Sequence, residues 1–189
     1  AFSRKSGEER SLISPRPIVK EALKFLRASI PASIEIREDI DPECGAVLAN
    51  PTNIHQIVVN LCTNAFHAME DAGGVLTVVM KNVELTAGEL AGEADLLPGP
   101  YVLLGVRDTG PGMTPEILSR IFDPYFTTKV AGKGSGMGLA VVHGIVKNYG
   151  GMVQAESAQG DGTVFNVYLP RIGKGMAAAE SLQEWALPS

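Results

Sequence analysis

Gln56, Asn60 and Asn64 recur every fourth residue within the stretch His55–Met69, and His67 follows three further on. Wound into a helix, these side chains fall on one line. Beside that line Ile54, Ile57, Val58, Leu61, Ala65, Ala68 and Met69 make a broad apolar surface that faces a core. Amides next to a core cost free energy unless they are hydrogen-bonded or hold something. A single Asn in that place reads as a solvated edge. Two Asn and a Gln in register with a His read as one wall of a ligand site.

Two glycine-bearing motifs can supply the other walls. Asp108-Thr109-Gly110-Pro111-Gly112-Met113 follows an apolar run directly. Gly and Pro at this density mark a turn. A carboxylate at its head also suits base recognition, because it accepts a hydrogen bond from the exocyclic amine of adenine and repels the carbonyl of guanine. Gly110 and Gly112 let a flat base approach the backbone. The second motif, Gly132-Lys133-Gly134-Ser135-Gly136-Met137-Gly138-Leu139, precedes a helical pattern. It reads either as a flexible loop or as a phosphate cradle, with free N–H groups and the positive end of the next helix attracting anions. Lys129 and Lys133 add positive charge. It is not a P-loop, since no Gly-x-x-x-x-Gly-Lys-[Ser/Thr] occurs, nor a dinucleotide fingerprint, since Leu139 stands where the third glycine belongs. A protein-kinase reading fails for want of a His-Arg-Asp or Asp-Phe-Gly motif.

With a nucleotide in view, Asn64 and Asn60 become candidate magnesium ligands. The ion takes oxygen donors and keeps waters and phosphates in its shell, so neutral amides suffice. His67 is either a phosphate contact or a surface histidine. Gly160-Asp161-Gly162-Thr163 reads first as a hairpin turn, with Thr163 a weaker candidate for a nucleotide contact. Phe122 and Phe126 read as packing anchors, His143 as structural and His55 as a helix-surface residue.

These residues need elements to position them. A strand over Ser11–Ser14 is followed by a helix entered at Pro15 and Pro17 and stopped before Pro31. Ser33–Asp39 alternates as a half-buried strand, and Cys44–Ala49 is a short apolar run. Asn50-Pro51 caps the amide-bearing helix, which Gly73-Gly74 ends. Strands are expected over Val75–Glu84 and Tyr101–Arg107, joined by a hairpin connection over Thr86–Pro100. A short helix opens at Thr114 and runs through Arg120. After a loop over Phe122–Gly138, a helix spans Leu139–Tyr149. Strands over Met152–Glu156 and Val164–Leu169 close the series, with Pro170 ending the sheet. Mixed order with hairpins, rather than strict alternation, predicts an α+β fold: a two-layer sandwich of a mixed β-sheet and helices.

The chain has 189 residues, 45% hydrophobic and 20% charged, with a formal net charge of −5. That length supports one sizeable core. The acidic balance argues against a general nucleic-acid binder. Cys44 and Cys62 form no metal-type spacing, so a disulfide framework or zinc site is disfavoured and a reducing cytoplasm is the default. No apolar run approaches the roughly 18 residues that span a membrane, so no direct membrane contact is expected of this stretch; anchoring of a longer parent is left open.

Taken together and in this order, the motifs resemble the catalytic ATP-binding domain of bacterial sensor histidine kinases, within the Bergerat-fold ATPase group. The resemblance covers Leu12 to Pro170. Asn60-Leu61-Cys62-Thr63-Asn64-Ala65 looks like the N box, Asp108 to Gly112 the G1 box, and Ile121 to Phe126 the F box. Gly134 to Leu139 resembles the G2 box, Gly160 to Thr163 the G3 box, and Thr127 to Lys133 the ATP lid. The resemblance implies the Bergerat sandwich, ATP and Mg2+ as ligands, and phosphoryl transfer to a histidine. It assigns nucleotide contacts to Asn60, Asn64, His67, Asp108, Gly110, Gly112, Met113, Phe122, Thr127, Thr128, Lys129, Lys133, Gly134, Ser135, Gly136, Met137, Gly138, Leu139 and Thr163, and the metal to Asn64 and Asn60. Residues 1–10 are then expected to end an upstream dimerisation and phosphoacceptor helix, 11–172 to form the catalytic domain, and 173–189 to form a linker or tail. The implied partners are that helical domain and a response regulator or receiver domain.

One departure and one position sharpen this reading. The acceptor histidine, which the family follows with an acidic residue, is missing: His55 precedes Gln, His67 precedes Ala and His143 precedes Gly. Hydrolysing relatives carry a Glu one turn before the magnesium Asn, where this chain has Asn60. An amide cannot act as a general base, so transfer is favoured over hydrolysis. A nucleotide-dependent regulatory module and a partner-free ATPase stand as the alternatives.

Overall fold

The computed structural model describes residues 9–128 and 136–173. Among these, the order is β1 (Ser11–Ile13), α1 (Pro15–Arg27), β2 (Ile34–Ile40), β3 (Ala46–Ala49), α2 (Pro51–Met69), β4 (Gly74–Leu85), β5 (Gly99–Asp108), α3 (Pro115–Leu118), α4 (Gly138–Asn148), β6 (Met152–Ser157) and β7 (Thr163–Ile172). The strands form one mixed sheet in the order β1-β3-β7-β5-β4-β2, with β6 also paired to β7. β2 runs parallel to β4, and the remaining pairs are antiparallel.

Alternation in the strands decides which face is covered. Leu76, Val78 and Met80 of β4, Val102, Leu104 and Val106 of β5, and Phe165, Val167 and Leu169 of β7 are buried in one continuous core. The helices supply the other half of it. α1 contributes Val19, Ala22, Leu23 and Leu26, and α2 contributes Ile54, Ile57, Val58, Leu61, Cys62, Ala65 and Met69. Each large aliphatic fully buried in this way stabilises by about 1.5–3 kcal/mol. α2 is the central element: it packs between α1 and α4 and lies over β4 and β5. The expected two-layer α+β sandwich is the observed architecture.

Local chemistry fixes the ends of α2 and α4. Asn50 caps α2 by accepting the Thr52 N–H at 2.8 Å, with Pro51 at the first helical position. α4 ends where Gly150 adopts a positive φ of 71° and the Gly151 N–H returns to the Val146 carbonyl at 2.9 Å. The ends of the two helices are also tied together. The Tyr149 hydroxyl accepts the Asn50 N–H at 3.1 Å and an Asn53 amide hydrogen at 2.6 Å.

The connection over residues 86–98 folds back on the opposite face of the sheet. There Leu90 joins Leu85, Tyr101 and Met152 in a second small core. Two expectations are corrected. Pro170 does not end the sheet: β7 continues to Ile172 and pairs Arg171 with Val47 of β3. Proline is tolerated because it falls between the last β6 partner of β7, at Tyr168, and its first β3 partner, at Arg171. The short helix stops at Leu118 rather than Arg120, closing with a tighter turn in which the Arg120 N–H meets the Ile117 carbonyl at 2.9 Å. No helix among the described residues is long and apolar enough to cross a membrane.

Candidate functional site

A cavity of about 410 Å³ opens between α2, the segment after β5 and the start of α4. From α2 it is lined by Val59, Asn60, Thr63, Asn64 and His67, which share one helical face. Met113, Ile117, Ile121 and Phe126 form an apolar wall, and Thr127, Thr128, Gly136, Gly138 and Leu139 complete the lining. Gln56 is exposed and stands outside the cavity. The amide line therefore continues into the site only from Asn60 onward.

Asn60 joins two walls: its Nδ2 donates to the Gly138 carbonyl at 3.2 Å. This leaves the amide oxygen free to accept. α4 begins at Gly138, so the N-terminus of an eleven-residue helix borders the cavity and places a positive partial charge there. Just before it, Gly136 has a φ of 69°, and a Cβ there would lie 2.4 Å from the Tyr125 carbonyl carbon. Tyr125 itself has a φ of 64°, and its N–H donates to the Gly136 carbonyl at 3.0 Å. Only glycine at 136 permits this approach.

Asp108 ends β5 and is 2% exposed. Its Oδ1 accepts the Gly110 N–H at 2.9 Å. Burial pushes its carboxyl above the ordinary range, while the N–H groups of Gly110 and Thr163 pull the other way. Gly110 lies close to Ala68 of α2: a Cβ there would fall 3.0 Å from the Ala68 carbonyl oxygen. Gly112 has a φ of 73°. Of the loop between Asp108 and Met113, Met113 reaches the cavity lining, while Asp108, Gly110 and Gly112 are outside it. Thr163 is buried, with its hydroxyl 2.8 Å from Ser157 Oγ. Phe122 packs edge-on against Phe165 and lies 5.3 Å from the His143 ring, outside the lining. Met137 holds the N-cap position of α4. Lys129, Lys133, Gly134 and Ser135 lie outside the described residues.

Residues 49–172 match the family model described as histidine kinase-, DNA gyrase B- and HSP90-like ATPase. The chain belongs to this ATPase family. Among relatives, it is 34% identical over 172 residues to the sensor kinase CckA of Brucella abortus, covering 91% of this chain and 18% of that protein. It is 33% identical over 183 residues to the sensory histidine kinase/phosphatase NtrB of Rhizobium meliloti, covering 95% of this chain and 46% of that protein. The chain therefore spans less than half the length of these relatives. Among solved structures, the catalytic domain of histidine kinase ThkA superposes with a TM-score of 0.69 at 25% identity, covering 86% of this chain and 98% of that one. The family accounts for ATP binding, and the superposition for the α+β sandwich.

Several site residues escaped the sequence reading. Thr63 shares the Asn60 face and could have been found by extending the helical projection. Val59, Ile117 and Ile121 are ordinary core-type residues that tertiary packing brings to the lining. Ser157 gives no local signal, because only the β6–β7 register, with Ser157 opposite Thr163, carries it to the loop after β5.

Proposed function

We propose that this chain is the ATP-binding catalytic domain of a two-component sensor histidine kinase. It passes the γ-phosphate of ATP to a histidine on a separate helical dimerisation domain, with a response regulator or receiver domain downstream. One observation carries the choice of transfer over hydrolysis. Among the described residues lining the cavity there is no Asp or Glu, and the position one turn before Asn64 holds the amide of Asn60, already bonded to Gly138. The carboxylate base that hydrolysing relatives place there to activate water is thus replaced by an amide, which cannot take a proton. The relatives named as sensor kinases support the same reading.

The residues divide the work as follows. The resemblance to the family gives Asp108 the adenine amine: its carboxyl, buried beside the lining and already accepting the Gly110 and Thr163 N–H groups, keeps acceptor capacity for it. The N-terminus of α4, together with Thr127 and Thr128, faces the phosphates, and His67 lies on the same wall. Asn64 and the free oxygen of Asn60 suit magnesium as a partial donor set. Among the described residues no group of three His, Cys, Asp or Glu gathers to hold a cation, so nucleotide phosphate and water must supply most of its shell. Bound magnesium neutralises phosphate charge; catalysis otherwise rests on positioning. Residues 11–172 form this domain, and a cytoplasmic setting fits its two unpaired cysteines.

Incubating the chain with γ-labelled ATP and a separately made helix-hairpin domain of a related sensor kinase tests the reading. Acid-labile label on the hairpin histidine is the expected result. Rapid release of inorganic phosphate without a partner contradicts it.

A further inference from the structure

We propose that Ser157 is a positioning residue for the loop from Asp108 to Met113, and that the β6–β7 turn thereby sets how selectively the site reads its base. This rests on reading the cavity as a nucleotide site.

Ser157 Oγ has three partners. The Met113 N–H donates to it at 2.8 Å, it donates to the Gly162 carbonyl at 2.9 Å, and Thr163 Oγ1 lies 2.8 Å away. A hydroxyl offers one donor and two acceptor sites. With its hydrogen on Gly162, both lone pairs accept, so the Thr163 hydroxyl donates to Ser157. Every valence of Ser157 is engaged.

The surrounding contacts make the turn a mould for the loop. The Gly160 N–H donates to the Pro111 carbonyl at 2.7 Å. A Cβ on Gly112 would lie 1.9 Å from the Ala158 carbonyl oxygen, and one on Gly162 would lie 2.1 Å from the Asp108 carbonyl oxygen. The Thr163 N–H meets Asp108. The loop is thus held at both ends by one turn, at Asp108 through Thr163 and at Met113 through Ser157. Of these two, Met113 lines the cavity. Releasing its N–H frees the Met113 end of the loop, which lines the cavity, while the Asp108 end stays fixed by the Thr163 N–H. Selectivity between bases depends on how rigidly those two ends are held relative to each other.

The test measures Mg-ATP and Mg-GTP dissociation constants for the full chain and for Ser157→Ala and Ser157→Thr, with melting temperatures alongside. Ser157→Ala is expected to weaken ATP about tenfold, the equivalent of one lost hydrogen bond, and to narrow the preference for ATP over GTP. Ser157→Thr, which keeps the hydroxyl, is expected to stay near the parent. Parental affinity and preference in Ser157→Ala overturns the proposal, as does equal loss in both variants. Amide hydrogen exchange in the unaltered chain covers the case of a variant that fails to fold. A slowed Met113 amide supports the assignment, and one exchanging at the rate of an unstructured peptide overturns it. Failure of the parent to bind ATP would sink the nucleotide reading instead, leaving the Met113 exchange result to stand alone.

Discussion

Asn60 of α2 and Gly138 at the first turn of α4 are 78 residues apart in sequence and are joined by one hydrogen bond of 3.2 Å across the cavity. The side chain that resembles a catalytic position is therefore also a structural tie between two walls. Asn60→Ala is expected to lower folding stability by about 0.5–1.5 kcal/mol through the lost bond, and to weaken Mg-ATP binding as well. Urea denaturation and a binding titration on the same variant check both; unchanged stability would show that the tie carries no energy.

Gly112 and Gly160 both have positive φ, but only Gly112 is crowded. A Cβ at 112 meets the Ala158 carbonyl oxygen, whereas a Cβ at 160 meets nothing within 4 Å. Gly160→Ala should then cost about 1–2 kcal/mol from backbone conformation alone. Gly112→Ala should cost distinctly more and should also reduce ATP affinity. Equal destabilisation of the two variants, read by chemical denaturation, contradicts the packing of the loop against the turn.

The Tyr149 hydroxyl serves two donors of α2 and its cap, Asn50 N–H and Asn53 Nδ2. Tyr149→Phe removes this acceptor while keeping the ring. A loss of about 1–3 kcal/mol is expected, measured by urea unfolding. Since the ring packing survives, a loss near zero would mean that water replaces the hydroxyl without penalty.

Burial holds the Asp108 carboxyl above its ordinary range. The folded chain therefore keeps this proton to higher pH than the unfolded chain does. The contribution of the group to stability falls as pH rises from about 4, the ordinary carboxylate value, through the raised folded value. Asp108→Asn has no such titration. The stability of this variant relative to the parent should rise with pH across that interval and level off above it. Parallel pH profiles for the two proteins would show that Asp108 is not destabilised by burial in the absence of ligand.

Much of this was legible in the sequence because the signals were local. Asn50-Pro51, the helical spacing of α2 and the glycine pair after α4 each fix an element by neighbouring residues. The alternation over Ser33–Asp39 marked β2 as a half-buried strand. What stayed hidden depends on register or on distant partners. Pro170 looked like a terminus because a proline cannot show which strands flank it. Ser157, one residue past the strand expected over Met152–Glu156, carries no local signal, and only pairing sets it beside Met113. Gln56 fitted the sequence pattern as well as Asn60, yet the direction in which α2 packs leaves it in solvent.

Whether Asp108 and Asn64 belong to one Mg-ATP site is tested most directly by a thermal-unfolding titration. The parent, Asp108→Ala and Asn64→Ala are each titrated with ATP or GTP, with and without magnesium. ATP at about 100 times its dissociation constant should stabilise the parent by about 2.7 kcal/mol, with little effect of GTP at the same concentration. Asp108→Ala should lose the adenine preference and Asn64→Ala the magnesium dependence. If both variants respond to ATP and magnesium as the parent does, the site has been assigned to the wrong residues.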